Sequence, residues 1–367
     1  MLRKVGLLTF WVLLCVMTAW GQAEQVKYGN DFLNIGVGAR AFGMGNAQTA
    51  VAHDVTAAYW NPAGLVQQRQ IIQKPEVALM YAAYFANIAT YNYGAVSIPL
   101  SPLGDKRLGI TMIRLGVDDI PNTLNLIRED GSFNYDAVSS FSSTDFATLL
   151  SYAWVPKKVD GLSLGTSVKV IYRGAGEFAN SWGFGIDIGA VYKKGNLNLG
   201  ASLKDATNTF NAWTFNTTTF EEAFINTGNE IPRNSVLRIP PSLRLGIAYK
   251  LSLAKRVKVL LALDSNTFFD GERSSLITLG GMSVDPHAGM EFSYLNSQKE
   301  PIAFLRLGAY NLQNEKNLEG EDSIGFFPTA GLGVAINSFK IDYALANIGN
   351  LSENLHSHVV SIQFMLE

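Results

Sequence analysis

Apolar residues in this chain recur at every second position over short stretches. Past the N-terminus they never gather into a run that could cross a bilayer as a helix, which takes roughly 20 residues. Period two is the spacing of an extended strand, whose successive side chains point to opposite faces. From 183 to 192, Phe184, Ile186, Ile188, Ala190 and Tyr192 share one face, while Gly183, Gly185, Asp187 and Gly189 share the other. Leu243, Leu245, Ile247, Tyr249 and Leu251 likewise oppose Ser242, Arg244, Gly246 and Lys250, and Val360, Ile362 and Phe364 oppose Ser361 and Gln363.

A soluble sandwich of two sheets alternates too, with its apolar faces turned to a core. Four features favour a transmembrane barrel: aromatics near the ends of the apolar faces, glycine mixed with charge opposite them, short turns alternating with long loops, and a last strand ending at Phe364. In lipid every backbone N–H and C=O must be bonded within the protein, which leaves helices or a closed ring of strands, and helices are excluded. The expected fold class is therefore all-β, an antiparallel transmembrane β-barrel. Fifteen stretches qualify as strands, but a barrel with both ends on one side needs an even number. Tight turns at 101–105, 156–161, 193–195, 252–255, 297–301 and 337–338 fall on one side only if 275–283 belongs to an excursion over 266–286 on the other. Fourteen strands remain, with further long loops at 117–143 and 205–240.

Arg3 and Lys4, an apolar run from Val5 to Met17, and then Ala19, Trp20 and Gly21 follow the three-part layout of a secretory signal peptide. Residues 1–21 are thus expected to be removed on export, leaving an N-terminal segment, 22–70, before a barrel over 71–367 in the bacterial outer membrane, with lipid around it. The one cysteine, Cys15, lies in that run, and Leu14 before it is too large for a lipid-attachment site, so the mature chain would hold neither disulfide nor thiolate metal site. Removal takes Arg3 and Lys4 from the 29 basic residues, so 27 face 31 acidic ones, a balance of −4 that gives no reason to expect nucleic acid.

The segment before the first strand shows little alternation. Gly36, Gly38 and Ala41 spell G-x-G-x-x-A, and Asp54 follows at roughly the offset of a dinucleotide fingerprint. That chemistry needs a buried parallel strand and a βαβ unit, and neither is present, so no cofactor is expected. A compact plug inside the barrel fits better. Its glycines and alanines allow close backbone packing, Val51 to Trp60 suits a short helix, and Asn61 with Pro62 ends it in a turn. The string from Phe32 to Leu65, above all GARAFGMGNAQTAVAHD followed by YWNPAGL, resembles the N-terminal signature of the PorV/PorQ family, a branch of the FadL-type outer-membrane barrels. AGMEFSY, FLRLGAY, AGLGVAI, KIDYALA and HVVSIQF are similar to that family as well. The resemblance is strong at the ends and weak in the middle. It implies a fourteen-stranded barrel with an N-terminal hatch, whose motif residues here are Gly36, Gly38, Arg40, Gly43, Gly45, Asn61, Pro62 and Gly64.

Two functions follow from the resemblance. PorV/PorQ-like members serve type IX secretion, which makes secretion-system proteins or secreted cargo the expected partners; FadL-like members pass hydrophobic small molecules, the alternative. Lumen-facing charges at Lys169, Arg173, Asp187, Arg244, Asp264, Glu291, Arg306, Lys340 and Asp342 either line a polar conduit or pair to satisfy a packed interior, and buried charge favours pairing. The loop 205–240 carries Phe210, Trp213, Phe215, Phe220 and Phe224, suited to a lid, a partner surface, or packing on the loop at 117–143. His53, His287, His356 and His358 lack a ligand set at metal spacing, His53 and Asp54 are adjacent and point apart, and no serine sits in a nucleophile elbow, so no enzyme is expected.

Overall fold

A computed structural model describes residues 24–67, 74–84, 87–126, 128, 130–221, 224–225, 228–316, 322–346 and 357–366. The expected signal peptide and its cleavage point lie outside the described residues, as does His356.

Fourteen strands make the wall: β1 (Glu76–Tyr84), β2 (Ala89–Pro99), β3 (Lys106–Asn122), β4 (Ser139–Trp154), β5 (Leu162–Ala175), β6 (Ala179–Lys194), β7 (Leu197–Lys204), β8 (Ser242–Ala254), β9 (Val257–Phe268), β10 (Met282–Leu295), β11 (Pro301–Lys316), β12 (Asp322–Ile336), β13 (Phe339–Ala346) and β14 (Ser357–Met365). Each is antiparallel to the next, and β14 pairs back onto β1, with Ile362 opposite Leu79, so the ring is closed and has no lateral edge. One end carries only short turns, and the other carries the long loops together with the three-residue turn 176–178. Ile277–Leu279 folds onto the start of β10 at the long-loop end, outside the wall, as its place in an excursion required. The excursion is narrower than 266–286, running from 269 to 281, and the loop at 117–143 shrinks to 123–138 because β3 and β4 continue beyond the membrane-length pattern.

The loop 205–240 needs a larger correction. Thr209–Phe215 and Ser235–Ile239 are strands that pair with each other, and the first also pairs with β6 from Ala179 to Phe184. They prolong β7 and β8 past two interruptions, Asp205–Asn208 on one side and Pro240–Pro241 on the other. The prolines have no N–H to give the ladder, and Asp205 and Asn208 both hold positive φ, so the pairing breaks there and resumes. Glu24–Gln25 adds a parallel piece against Leu237–Arg238.

Outward faces are apolar and bare: Phe184, Ile188, Leu263 and Ile341 are each more than half exposed. They are not buried between two sheets, which rules out the sandwich, and an apolar belt of this extent is stable only against lipid. Residues 30–66 fill the bore, including α1 (Ala39–Gly43), α2 (Ala57–Trp60) and a 3-10 turn, Pro62–Val66. The helix expected over 51–60 is confined to α2, because the Asp54 carboxylate takes the Thr56 N–H at 2.9 Å and holds a local turn in place of helix. Glycines on the inner wall make room for this segment. A Cβ on Gly308 would strike the backbone of Met44 and Gly45, and one on Gly45, at φ 57°, would come within 2.6 Å of Ala309.

Candidate functional site

The residues singled out by sequence divide among the plug, two ionic clusters and the outer hairpin. In the plug, Gly36 and Gly38 hold φ of 111° and 86°, a region costly for any side chain, and bend the chain into α1. Arg40 on α1 grips Glu291 with two bonds, Nε to Oε2 at 2.8 Å and Nη2 to Oε1 at 3.1 Å. Gly43 lies against Gly331, and Gly64 against Ala52 and Ala57. Asn61 explains its motif: its amide donates to Thr49 O at 2.9 Å within the plug and to Ala190 O and Ala201 O of β6 and β7 at 3.1 and 3.3 Å. Its Oδ1 accepts from Ala63 N, and Pro62 opens the turn at a position where no N–H is required.

The first ionic cluster lies toward the short-turn end. Arg306, with no solvent exposure, donates to Glu291 at 2.7 Å and to Asp342 at 2.8 Å, while Lys340 reaches the other Asp342 oxygen at 3.3 Å. Together with Arg40 this chain of charges ties plug, β10, β11 and β13 into one block. Burial works against the Arg40 charge, yet the facing Glu291 carboxylate outweighs it and holds the guanidinium above its ordinary pKa. His53 nearby is pushed down to about 4, first by burial and then by the Arg40 charge, so it is neutral at pH 7.

The second cluster backs the interruption in β7 and β8. Lys169 bonds Asp187 at 2.9 Å and Asp205 at 2.6 Å, and Lys204 bonds Asp187 at 3.2 Å and the Tyr59 carbonyl. Arg173 pairs with Asp145 at 3.0 Å, and Arg244 sits over the rings of Tyr59 and Trp60 while donating to Asn34 at 3.1 Å. Asp264 accepts from Thr49 N at 2.7 Å. The lumen charges are thus arranged as pairs and plug contacts.

The aromatics do not converge. Phe210 stands opposite Phe184 in the wall register, Trp213 stacks on Phe215 and under Arg173, and Phe220 packs on Phe224 with ring centres 5.0 Å apart. His358 meets Tyr343 at 2.7 Å, and His287 bonds Gly45 O at 2.7 Å, joining β10 to the plug. Among the described residues no three His, Cys, Asp or Glu side chains gather as a metal site.

A clasp at the long-loop end was not expected. Arg273 lies 3.7 Å over the Phe268 ring and 4.6 Å over that of Tyr28, and pairs with Asp270 at 2.6 Å and Asp31 at 3.2 Å, fixing the plug's outer end to the loop after β9. Nothing in sequence spacing links Tyr28 to Arg273; only ring closure brings them together. Beside the clasp is a cavity of about 350 Å³ lined by Tyr28, Asp31, Asn46, His287 and Tyr310, and at the short-turn end another of about 400 Å³ lined by Arg40, His53, Glu76 and Lys250. Plug residues occupy the bore between them. A third, of about 40 Å³, lies directly behind the wall interruption, among Tyr59, Lys169, Asp187, Pro240 and Pro241.

A closed ring of fourteen strands with a filled bore is a fold found in solved structures as well. The toluene transporter TbuX of Ralstonia pickettii superposes with a TM-score of 0.52 at 14% identity, covering 90% of this chain and 99% of that one. The Pseudomonas putida toluene transporter TodX gives 0.53 at 14%, covering 90% and 99%. A Pseudomonas aeruginosa FadL homologue gives 0.54 at 12%, covering 90% and 98%. At these identities the likeness is one of fold. No family model matches the chain, and no curated protein does.

Proposed function

We propose that this barrel resides in the outer membrane after loss of its signal peptide, short turns toward the periplasm, and passes hydrophobic small molecules inward under control of the N-terminal hatch. The observation that carries the reading is the break in the β7–β8 wall with a cavity behind it. An apolar solute gains nothing by crossing the Arg40–Glu291–Arg306–Asp342 block, where it would displace charge-assisted hydrogen bonds. A sideways step at the break leads it to the bilayer instead, once the Lys169–Asp187–Lys204–Asp205 cluster behind the break has parted. Movement of Asn30, Leu33 and Asn34, which line that small cavity, would connect it to the outer mouth. The fold shared with toluene transporters supports the same substrate class. The test is uptake of radiolabelled toluene by cells lacking their own hydrocarbon channels. Expression of the barrel should raise the initial rate severalfold, and a rate equal to that of empty cells would reject the reading.

A second reading, docking of secreted protein cargo in a type IX-like pathway, is favoured by Phe133 and Tyr135. These rings stack on the loop between β3 and β4 and are 59% and 74% exposed. Purification of the barrel from its native membrane decides: a stoichiometric protein complex lost on replacing both rings by serine supports docking.

A further inference from the structure

Three successive short turns carry adjacent basic residues. Lys157 and Lys158 lie between β4 and β5, Lys193 and Lys194 at the end of β6, and Lys255 and Arg256 between β8 and β9; all six are exposed. Asp160 is the sole acid on these turns among the described residues. The remaining short turns differ: Asn337–Ser338 is uncharged, Lys299 is followed by Glu300, and Asp105 after β2 is followed by Lys106. The basic pairs therefore form an arc under β4 to β9.

A second, independent feature fixes the depth of this arc. The same strands end on outward-facing aromatics, Tyr152 stacked on Trp154 on β4, Tyr192 on β6 and Tyr249 on β8. Such rings mark the boundary between hydrocarbon and headgroups. Lys194 is two residues past Tyr192 on the same outward face, Lys193 between them turns to the inner rim, and Lys157 comes three residues after Trp154. At about 3.3 Å per residue, the outward ammonium groups fall at the level of lipid phosphates, with their methylene stems free to lie along the apolar belt. Leu253 and Val159, both exposed beside the basic pairs, extend that belt into the turns. A soluble acidic partner would meet charge set back from apolar surface; here the two are interleaved.

We propose that this arc binds the phosphate headgroups of anionic phospholipids in the periplasm-facing leaflet, an inference that rests on the membrane placement given above. The test uses the full barrel reconstituted in phosphatidylethanolamine vesicles containing a minor share of phosphatidylglycerol. Insertion is read from heat-modifiable mobility, and retained lipid by native mass spectrometry. The wild-type barrel should hold phosphatidylglycerol in excess of its share. A variant with Gln at all six positions should lose that excess by about tenfold or more, since one basic group near an anionic surface contributes about fivefold. A variant with Arg at the five lysines should keep it.

Unchanged enrichment in the Gln variant overturns the proposal. So does an inserted wild-type barrel without lipid preference, whether or not an acidic protein binds the arc. Failure of the wild type to insert removes the membrane placement itself, and this inference with it.

Discussion

Asn61 uses every polar atom of its side chain to join the plug to the wall and to its own turn. Asn61→Ala should weaken plug docking by about 1–3 kcal/mol, since it strands the buried carbonyl of Thr49 and removes the plug's bonds to the Ala190 and Ala201 carbonyls. Hydrogen exchange should report faster amides over 30–66 with strand amides unchanged; equal loss across the wall would contradict a local role. Arg306 is shared by two carboxylates, so Arg306→Met leaves buried Glu291 and Asp342 short of their partner. A loss of about 3–5 kcal/mol is expected, seen as a lower urea midpoint in vesicles. His53 supplies the pH dependence. Its docked pKa is pushed down to about 4 from 6.5, so the released plug takes up a proton that the docked plug refuses. Docking from this residue is therefore fully present above pH 6.5 and declines as pH falls toward 4. Exchange of the plug amides across that window should follow, and His53→Gln should flatten it.

The strands were legible because period two survives wherever one face meets lipid, as in β6 and β8. The interruption was not, because 205–240 reads as one aromatic-rich loop until Phe210 is set opposite Phe184 and Thr209 opposite Ile239. Arg40 stood out as a motif residue and Glu291 as a lumen charge, yet their pairing depends on a plug whose path no local pattern encodes. By sequence the inner-face glycines are simply mixed with charge, while in the folded barrel they are a moulded seat for residues 43–50 and 61–63. Gly308→Val tests that seat. Its side chain would collide with Met44 and Gly45, so the plug should be displaced from an intact ring. Planar-bilayer recordings should show larger or more frequent openings than the parent barrel, and identical conductance with an ordered plug would refute the steric account.

Taken whole, the molecule has polarity along its axis. Glu24 and Gln25 pair at the long-loop end, whereas Pro75, just before β1, accepts a bond from Leu366 at the short-turn end. An epitope placed immediately before Glu24 should therefore bind antibody on intact cells, as flow cytometry would register; labelling only after outer-membrane disruption would reverse the assigned orientation.

That lengthwise path bears on how the barrel is born. A break wide enough for a small solute does not admit a folded segment, so a thread whose two ends emerge at opposite rims is most simply surrounded while the hoop still gapes. The seam between β14 and β1 is made from the first and last strands of the hoop, and it would be the natural stitch to tie after the thread is laid.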